Sequence, residues 1–131
     1  MTAIAFMQLA LIGLAVAAIF FAVAWLKSKT FTFHRLGLLT TFFTFDLILF
    51  GAFTRLTDSG LGCPDWPGCY GASNPFHALS DIQQAESVLP SGPVTVIKAW
   101  IEMIHRYLAM TVGALILVQV GLAFKKMKSL G

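Results

Sequence analysis

Apolar residues gather into three long runs along this chain, separated by polar or charged stretches, and that alternation predicts the architecture. The first run, Thr2 to Leu26, carries no charge and is long enough to span a bilayer with some tilt. The second, Leu36 to Thr54, rises about 27 Å as a helix and brings Arg55 to the far boundary. In the third, the stretch from Glu102 to Phe124 rises about 33 Å, close to a hydrocarbon thickness of about 30 Å. The predicted fold class is therefore all-α: an integral membrane helical bundle with three transmembrane helices over residues 1–26, 36–56 and 95–124. Residues 27–35 then form the turn between the first two spans, 57–94 a long loop, and 125–131 a basic tail.

Within the loop, Gly60, Gly62, Gly68 and Gly71 are interspersed with Pro64 and Pro67, which dictates a compact irregular turn and stops the preceding helix. Farther on, Ser80-Asp81-Ile82-Gln83 matches a capping box, and Ile82, Ala85 and Leu89 share an apolar face. That pattern predicts a short helix over 81–89, ending before Pro90 and lying on the membrane surface as a lid.

Composition and charge fix the compartment and the orientation. A chain of 131 residues that is 57% hydrophobic and only 11% charged is no ordinary soluble domain. A cleaved signal peptide is a poor account of the first run, which lacks a basic leading region and is too long. Lys27, Lys29 and Arg35 cluster in the turn and Lys125, Lys126 and Lys128 in the tail, so both are expected in the cytoplasm. Residues 57–97 hold Asp58, Asp65, Asp81 and Glu86 but no Lys or Arg, which puts the loop, and with it the N-terminus, outside. No basic stripe suggests nucleic acid as a partner.

The densest chemistry lies where the third span begins. Glu102 and His105 are three apart and so share a helix face near the outer boundary, and ionisable groups at such a depth are read first as part of a site. His105 is either a polar contact between helices or an axial ligand to haem iron inside a bundle. The same face continues through Ala109, Val112, Gly113 and Ile116, small or apolar positions against which a flat macrocycle can lie. Arg55, Lys98 and Arg106 gather at the outer boundary, where topology gives them no support. They either clamp carboxylates such as haem propionates or pair with Glu102 and Asp58. Asp46, halfway along the second span, is either a neutral carboxyl bonded to a neighbouring hydroxyl or part of a proton path or buried ligand contact.

Cys63 and Cys69 read C-P-x-x-P-x-C in the outside loop. With only His77 nearby, a structural zinc site lacks ligands, and the spacing matches neither a redox C-x-x-C nor a covalent haem motif. A disulfide is expected, serving as a brace or as a reducible bridge that passes electrons.

Two motifs together resemble the haem A synthase family: Thr54-Arg-Leu-Thr-Asp-Ser-Gly-Leu-Gly-Cys-Pro-Asp-Trp-Pro-Gly-Cys-Tyr70 and Glu102-Met-Ile-His-Arg-Tyr107. The similarity runs from about Leu36 to Phe124, and the first span looks like an addition found in part of that family. The resemblance implies oxidation of the C8 methyl of haem O to a formyl group, giving haem A for terminal oxidases. It further implies haem b as cofactor, water as oxygen source, a separate electron acceptor, and residence in the bacterial cytoplasmic membrane. By position it implies Glu102 at the reaction centre, in proton transfer or in stabilising a cationic intermediate. His105 becomes an axial ligand to the substrate haem, and Cys63 with Cys69 a pair for electron or haem handling. Members of the family build two related four-helix halves with further histidines, so this chain is expected to be part of one half, to need the remaining helices, and to be inactive alone. A membrane haem b electron carrier and a non-catalytic assembly subunit are the competing functions.

Overall fold

A computed structural model of the chain describes Ile19, Ala22, Val23 and residues 33–129. The first expected span, apart from those three positions, residues 27–32 and the last two residues lie outside the description. The described residues are mostly helical, without strands: α1 is Phe33–Leu56, α2 is Leu79–Val88 and α3 is Val96–Lys128. Both α1 and α3 are long and apolar enough to cross a membrane. His34 and Arg35 thus belong to the first turn of α1 rather than to the connection before it. The expected tail is likewise helical as far as Lys128, and its three lysines sit in the last turn, where cations complement the helix dipole.

α1 and α3 pack as antiparallel neighbours. Gly37 lies opposite Gln119, and fourteen residues on in α1 and fourteen back in α3, Gly51 lies opposite His105. Leu36, Thr40 and Phe43, spaced four and three apart, form the buried stripe of α1 and meet Val112, Ala114 and Leu115 of α3. One polar link crosses this apolar seam: Gln119 Nε2 donates to Thr40 Oγ1, whose own proton goes to the Leu36 carbonyl at 2.9 Å. Such a link is worth about 0.6 kcal/mol within a membrane. The outward faces carry Leu38, Phe42, Phe45, Ile48, Leu117 and Phe124, all exposed. That is more continuous apolar surface than a soluble monomer leaves uncovered.

A second core lies beyond the end of α1, where Cys63, Cys69, Ala78 and Ile82 close over Ala99 and Met103. Gly62 lets the loop touch the backbone of α3, because a Cβ there would overlap the Lys98 carbonyl and the Ala99 nitrogen. The first turn of α3 is capped twice: Thr95 Oγ1 accepts from Lys98 N at 3.2 Å, and Glu86 Oε2 of α2 accepts from Val96 N at 3.1 Å.

α2 departs from the pattern read in the sequence. It begins at Leu79 with Ala78 as N-cap and no side-chain cap, so the Ser80–Gln83 box does not form. Burial of Ile82 sets the start instead, with Ile82 N donating to the Ala78 carbonyl at 3.0 Å. Leu89, expected on the buried face, is exposed, and α2 is pinned to the start of α3 through Ile82 and Glu86.

Gly62→Ala is expected to destabilise the protein by about 1–3 kcal/mol, the usual cost of forcing atoms into a packed contact. Gly60→Ala, with nothing within 4 Å of its added Cβ, is expected to be near neutral. Denaturant unfolding in detergent compares the two, and equal midpoints would mean that the Gly62 contact carries no weight.

Candidate functional site

The loop that follows α1 is braced by its own short-range bonds. Ser59 N donates to the Thr54 carbonyl at 2.9 Å as the chain leaves the helix, with Asp58 in the left-handed region at φ 52°. A disulfide joins Cys63 and Cys69, their Cα atoms 4.9 Å apart. Inside that ring, the Asp65 carboxylate accepts from Tyr70 N and Gly71 N, each at 2.6 Å. Those are the two residues that turn through positive φ, 49° and 71°, and the carboxylate gathers the amides the turn leaves facing one way.

This loop is fastened to one face of α3 by Glu102, Met103, Arg106 and Tyr107. Glu102 is buried, and its Oε2 accepts from Cys63 N at 2.8 Å while Oε1 pairs with Arg106 Nη2. Arg106 Nη1 reaches past the carboxylate to donate to the carbonyls of Asp65, at 2.9 Å, and Gly68. Tyr107 donates its hydroxyl proton to the Ser73 carbonyl at 2.7 Å. One ion pair, four residues apart on the helix, therefore holds both ends of the disulfide ring.

Beside this attachment lies a cavity of about 750 Å³, lined by Gly51 and Arg55 of α1, Trp66 of the loop, and Glu102, His105 and Arg106 of α3. Four of the residues singled out in the sequence thus share one space. Cys63 and Cys69 do not line it; they are buried behind Glu102. Lys98 is also elsewhere, reaching Asp58 at 3.4 Å and the Gly92 carbonyl at 3.5 Å. The Asp58 side chain is 90% exposed, so that pair contributes little. Of the three cations singled out in the sequence, then, Lys98 and Arg106 have protein partners. The Arg55 guanidinium, exposed at the rim, makes no hydrogen bond or ion pair among the described residues.

His105 is half-buried between the helices, its imidazole nearly parallel to the Phe50 ring at 14° with centroids 6.4 Å apart. It makes no hydrogen bond among the described residues. Its Nε2 faces Gly51, where an added Cβ would come within 2.9 Å. Farther along α3 the face divides: Val112 packs against α1, while Ala109, Gly113 and Ile116 are exposed. Asp46 lines a shallower space of about 420 Å³ with Leu49, Phe50, Phe53 and Leu108, and no neighbouring hydroxyl bonds to it among the described residues.

Three features were not anticipated from the sequence. Gly51 was passed over, although a glycine inside an apolar helix costs about 1 kcal/mol against alanine and so invites a packing reason. Trp66 on the cavity wall and the Thr40–Gln119 link had no signal beyond their residue types.

Arg106→Leu is expected to cost about 3–5 kcal/mol, since it leaves the Glu102 carboxylate buried without its partner. Arg106→Lys should recover only part of this, because an ammonium lacks the planar fork that serves the carboxylate and the carbonyls together. Unfolding followed by tryptophan fluorescence measures all three proteins, and identical curves would show that the pair does not hold the loop.

Residues 34–130 match the family described as cytochrome oxidase assembly protein. A heme A synthase from Shewanella oneidensis is 49% identical over 79 residues, covering 60% of this chain and 24% of that protein. The match thus spans about a quarter of the relative's length. No solved structure matches the chain.

Proposed function

This chain belongs to the family of cytochrome oxidase assembly proteins, and on that premise we propose that it is the haem-handling outer part of a haem A synthase. The complete enzyme oxidises the C8 methyl group of haem O to a formyl group, with haem b as cofactor, water as oxygen source and a separate electron acceptor. Because the matched segment is a fraction of the relative, the activity is assigned to the bundle that this chain forms with further helices. Its place is the bacterial cytoplasmic membrane, with the disulfide loop outside and the lysine-rich end of α3 in the cytoplasm.

The observation that carries this reading is the convergence of His105, Glu102 and Arg55 on one cavity at the end of two membrane-length helices. The donor set suits an iron porphyrin, with the His105 imidazole turning from Gly51 into the cavity, because a Cβ on Gly51 would stand only 2.9 Å from Nε2 as the ring lies now. His105 offers an imidazole without a hydrogen-bond partner among the described residues, and a volume of about 750 Å³ is within the usual span for cofactor pockets. His105 would take the iron of the substrate haem, and Arg55 would meet a propionate at the rim. A bound haem b would supply one-electron chemistry.

Glu102 has the central role. Both of its oxygens already accept hydrogen bonds, from Cys63 N and from Arg106, so the carboxylate is oriented before any substrate arrives. In a site of low dielectric, a fixed carboxylate stabilises positive charge developing on a benzylic-type carbon far better than bulk water does. Arg106, in this account, orients Glu102 and leaves propionate binding to Arg55.

In the assembled enzyme, Glu102→Gln is expected to keep the haem absorption spectrum and abolish haem A, while His105→Ala should lose both. Extraction and chromatography of membrane haems reads the product. Absence of haem A from membranes holding the original assembled enzyme would sink the synthase reading, unchanged haem A in Glu102→Gln would overturn the role given to Glu102, and intact electron transfer with no haem A formed would favour a haem b carrier. Arg55→Gln is expected to weaken porphyrin binding about two- to fivefold, as suits an exposed charge pair. Lys98→Gln should leave that affinity unchanged.

A further inference from the structure

We propose that Asp65 is a positioning residue for the Glu102 carboxylate, a proposal that rests on the role given to Glu102 above. The Asp65 side chain folds the disulfide loop so that two backbone carbonyls converge on Arg106, and Arg106 in turn fixes Glu102. Asp65 does not itself line the cavity.

Arg106 Nη1 carries two protons and delivers them to the carbonyls of Asp65, at 2.9 Å, and Gly68. Nη2 is thereby turned to Glu102 Oε1. For one nitrogen to serve both carbonyls, residues 65 and 68 must aim at the same spot, a shape that an untied loop has no reason to hold. Three ties impose it. The Cys63–Cys69 bridge closes the ring, Cys69 and Ala72 exchange backbone hydrogen bonds of 2.8 and 3.0 Å, and the Asp65 carboxylate accepts from Tyr70 N and Gly71 N at 2.6 Å each. Of the three, the last reaches residue 65 itself.

The same two amides keep the Asp65 charge off Arg106. Each carboxylate oxygen is taken by one amide, and Asp65 makes no ion pair among the described residues. It therefore offers the guanidinium a carbonyl dipole and leaves the charge pairing to Glu102. Tyr70 is half-buried and Gly71 exposed, so water can meet their amides once the carboxylate is removed. Loss of the Asp65 side chain should thus be felt at Glu102 more than in the folding midpoint.

Glu86 and Glu102 are the chain's only glutamates, so glutamate carrying 13C in its side-chain carboxyl gives, in a Glu86→Gln background, one isotope-shifted carboxylate band in the infrared spectrum. That band is measured in the detergent-purified chain and in its Asp65→Ala, Asp65→Asn and Tyr107→Phe variants. Tyr107→Phe is the control, since it releases the loop at the Ser73 carbonyl and leaves the Glu102 contacts in place. With Asp65 present the band is expected to be narrow, and Asp65→Ala should broaden it and move it toward a hydrated carboxylate. Asp65→Asn, whose amide oxygen can meet one of the two N–H groups, should fall between. Tyr107→Phe should lower the unfolding midpoint and leave the band where it was. In the assembled enzyme, Asp65→Ala is expected to reduce kcat for haem A formation about tenfold to a hundredfold with KM little changed, as suits a displaced reacting group. A band unmoved in Asp65→Ala, or moved equally by Tyr107→Phe, overturns the inference and leaves the role of Glu102 standing. A moved band with kcat unchanged, where Glu102→Gln is inactive, overturns it too, since the placement would then carry no chemistry. Should Glu102→Gln itself keep forming haem A, the role of Glu102 falls and this inference falls with it.

Discussion

A buried carboxylate must be met by donors, and in this chain that requirement organises everything outside the apolar seam. Glu102 stands near the start of α3 with almost no exposure, and its desolvation is offset only because Arg106 and the Cys63 amide both reach it. Arg106 has more donors than one carboxylate uses, and the surplus fixes the carbonyls of Asp65 and Gly68. The loop is thus held to the helix by the same charges that its own docking removes from water. Neither part has a satisfied arrangement without the other.

The two regions of the molecule follow different physics. Along the crossing of α1 and α3, contact is mostly dispersion between Leu, Phe, Val and Ala side chains with a single amide–hydroxyl link, which many sequences would satisfy. The loop region is held by directional bonds between named atoms, closed by a disulfide, and contacted through a glycine that touches backbone. The cavity lies where these regions meet, so one wall comes from each. Its groups divide accordingly: Glu102 and Arg106 are held by the loop, while His105 and Arg55 are free of hydrogen bonds among the described residues.

Much of this was legible in the sequence because it follows from length and period. Apolar runs of membrane length gave α1 and α3, and the spacing of Glu102 and His105 placed both on the cavity side. The interspersed glycines and prolines foretold an irregular loop, and Cys63 with Cys69 a bridge. What could not be read was the choice of partner. Arg106 and Arg55 are the same residue type at similar depth, yet only the first finds the loop carbonyls, a matter of how a chain forty residues away folds back. α2 was foreseen as a short helix, but its start was not, for a related reason: local capping chemistry favoured Ser80, and tertiary burial of Ile82 moved the start to Leu79. Gly51 was illegible because its meaning lies in the atom it lacks and in the ring that faces it.

The antiparallel register also gives the molecule a lever. Fourteen residues separate the Gln119 crossing from the His105 crossing, about 21 Å of rigid helix at 1.5 Å per residue. Pivoting α3 by about 5° about its Gln119 contact would sweep the imidazole by about 2 Å, a displacement on the scale at which reacting groups lose alignment. Bilayer thickness and helix tilt, set by lipids far from the chemistry, thereby become geometric inputs to the site at the opposite face.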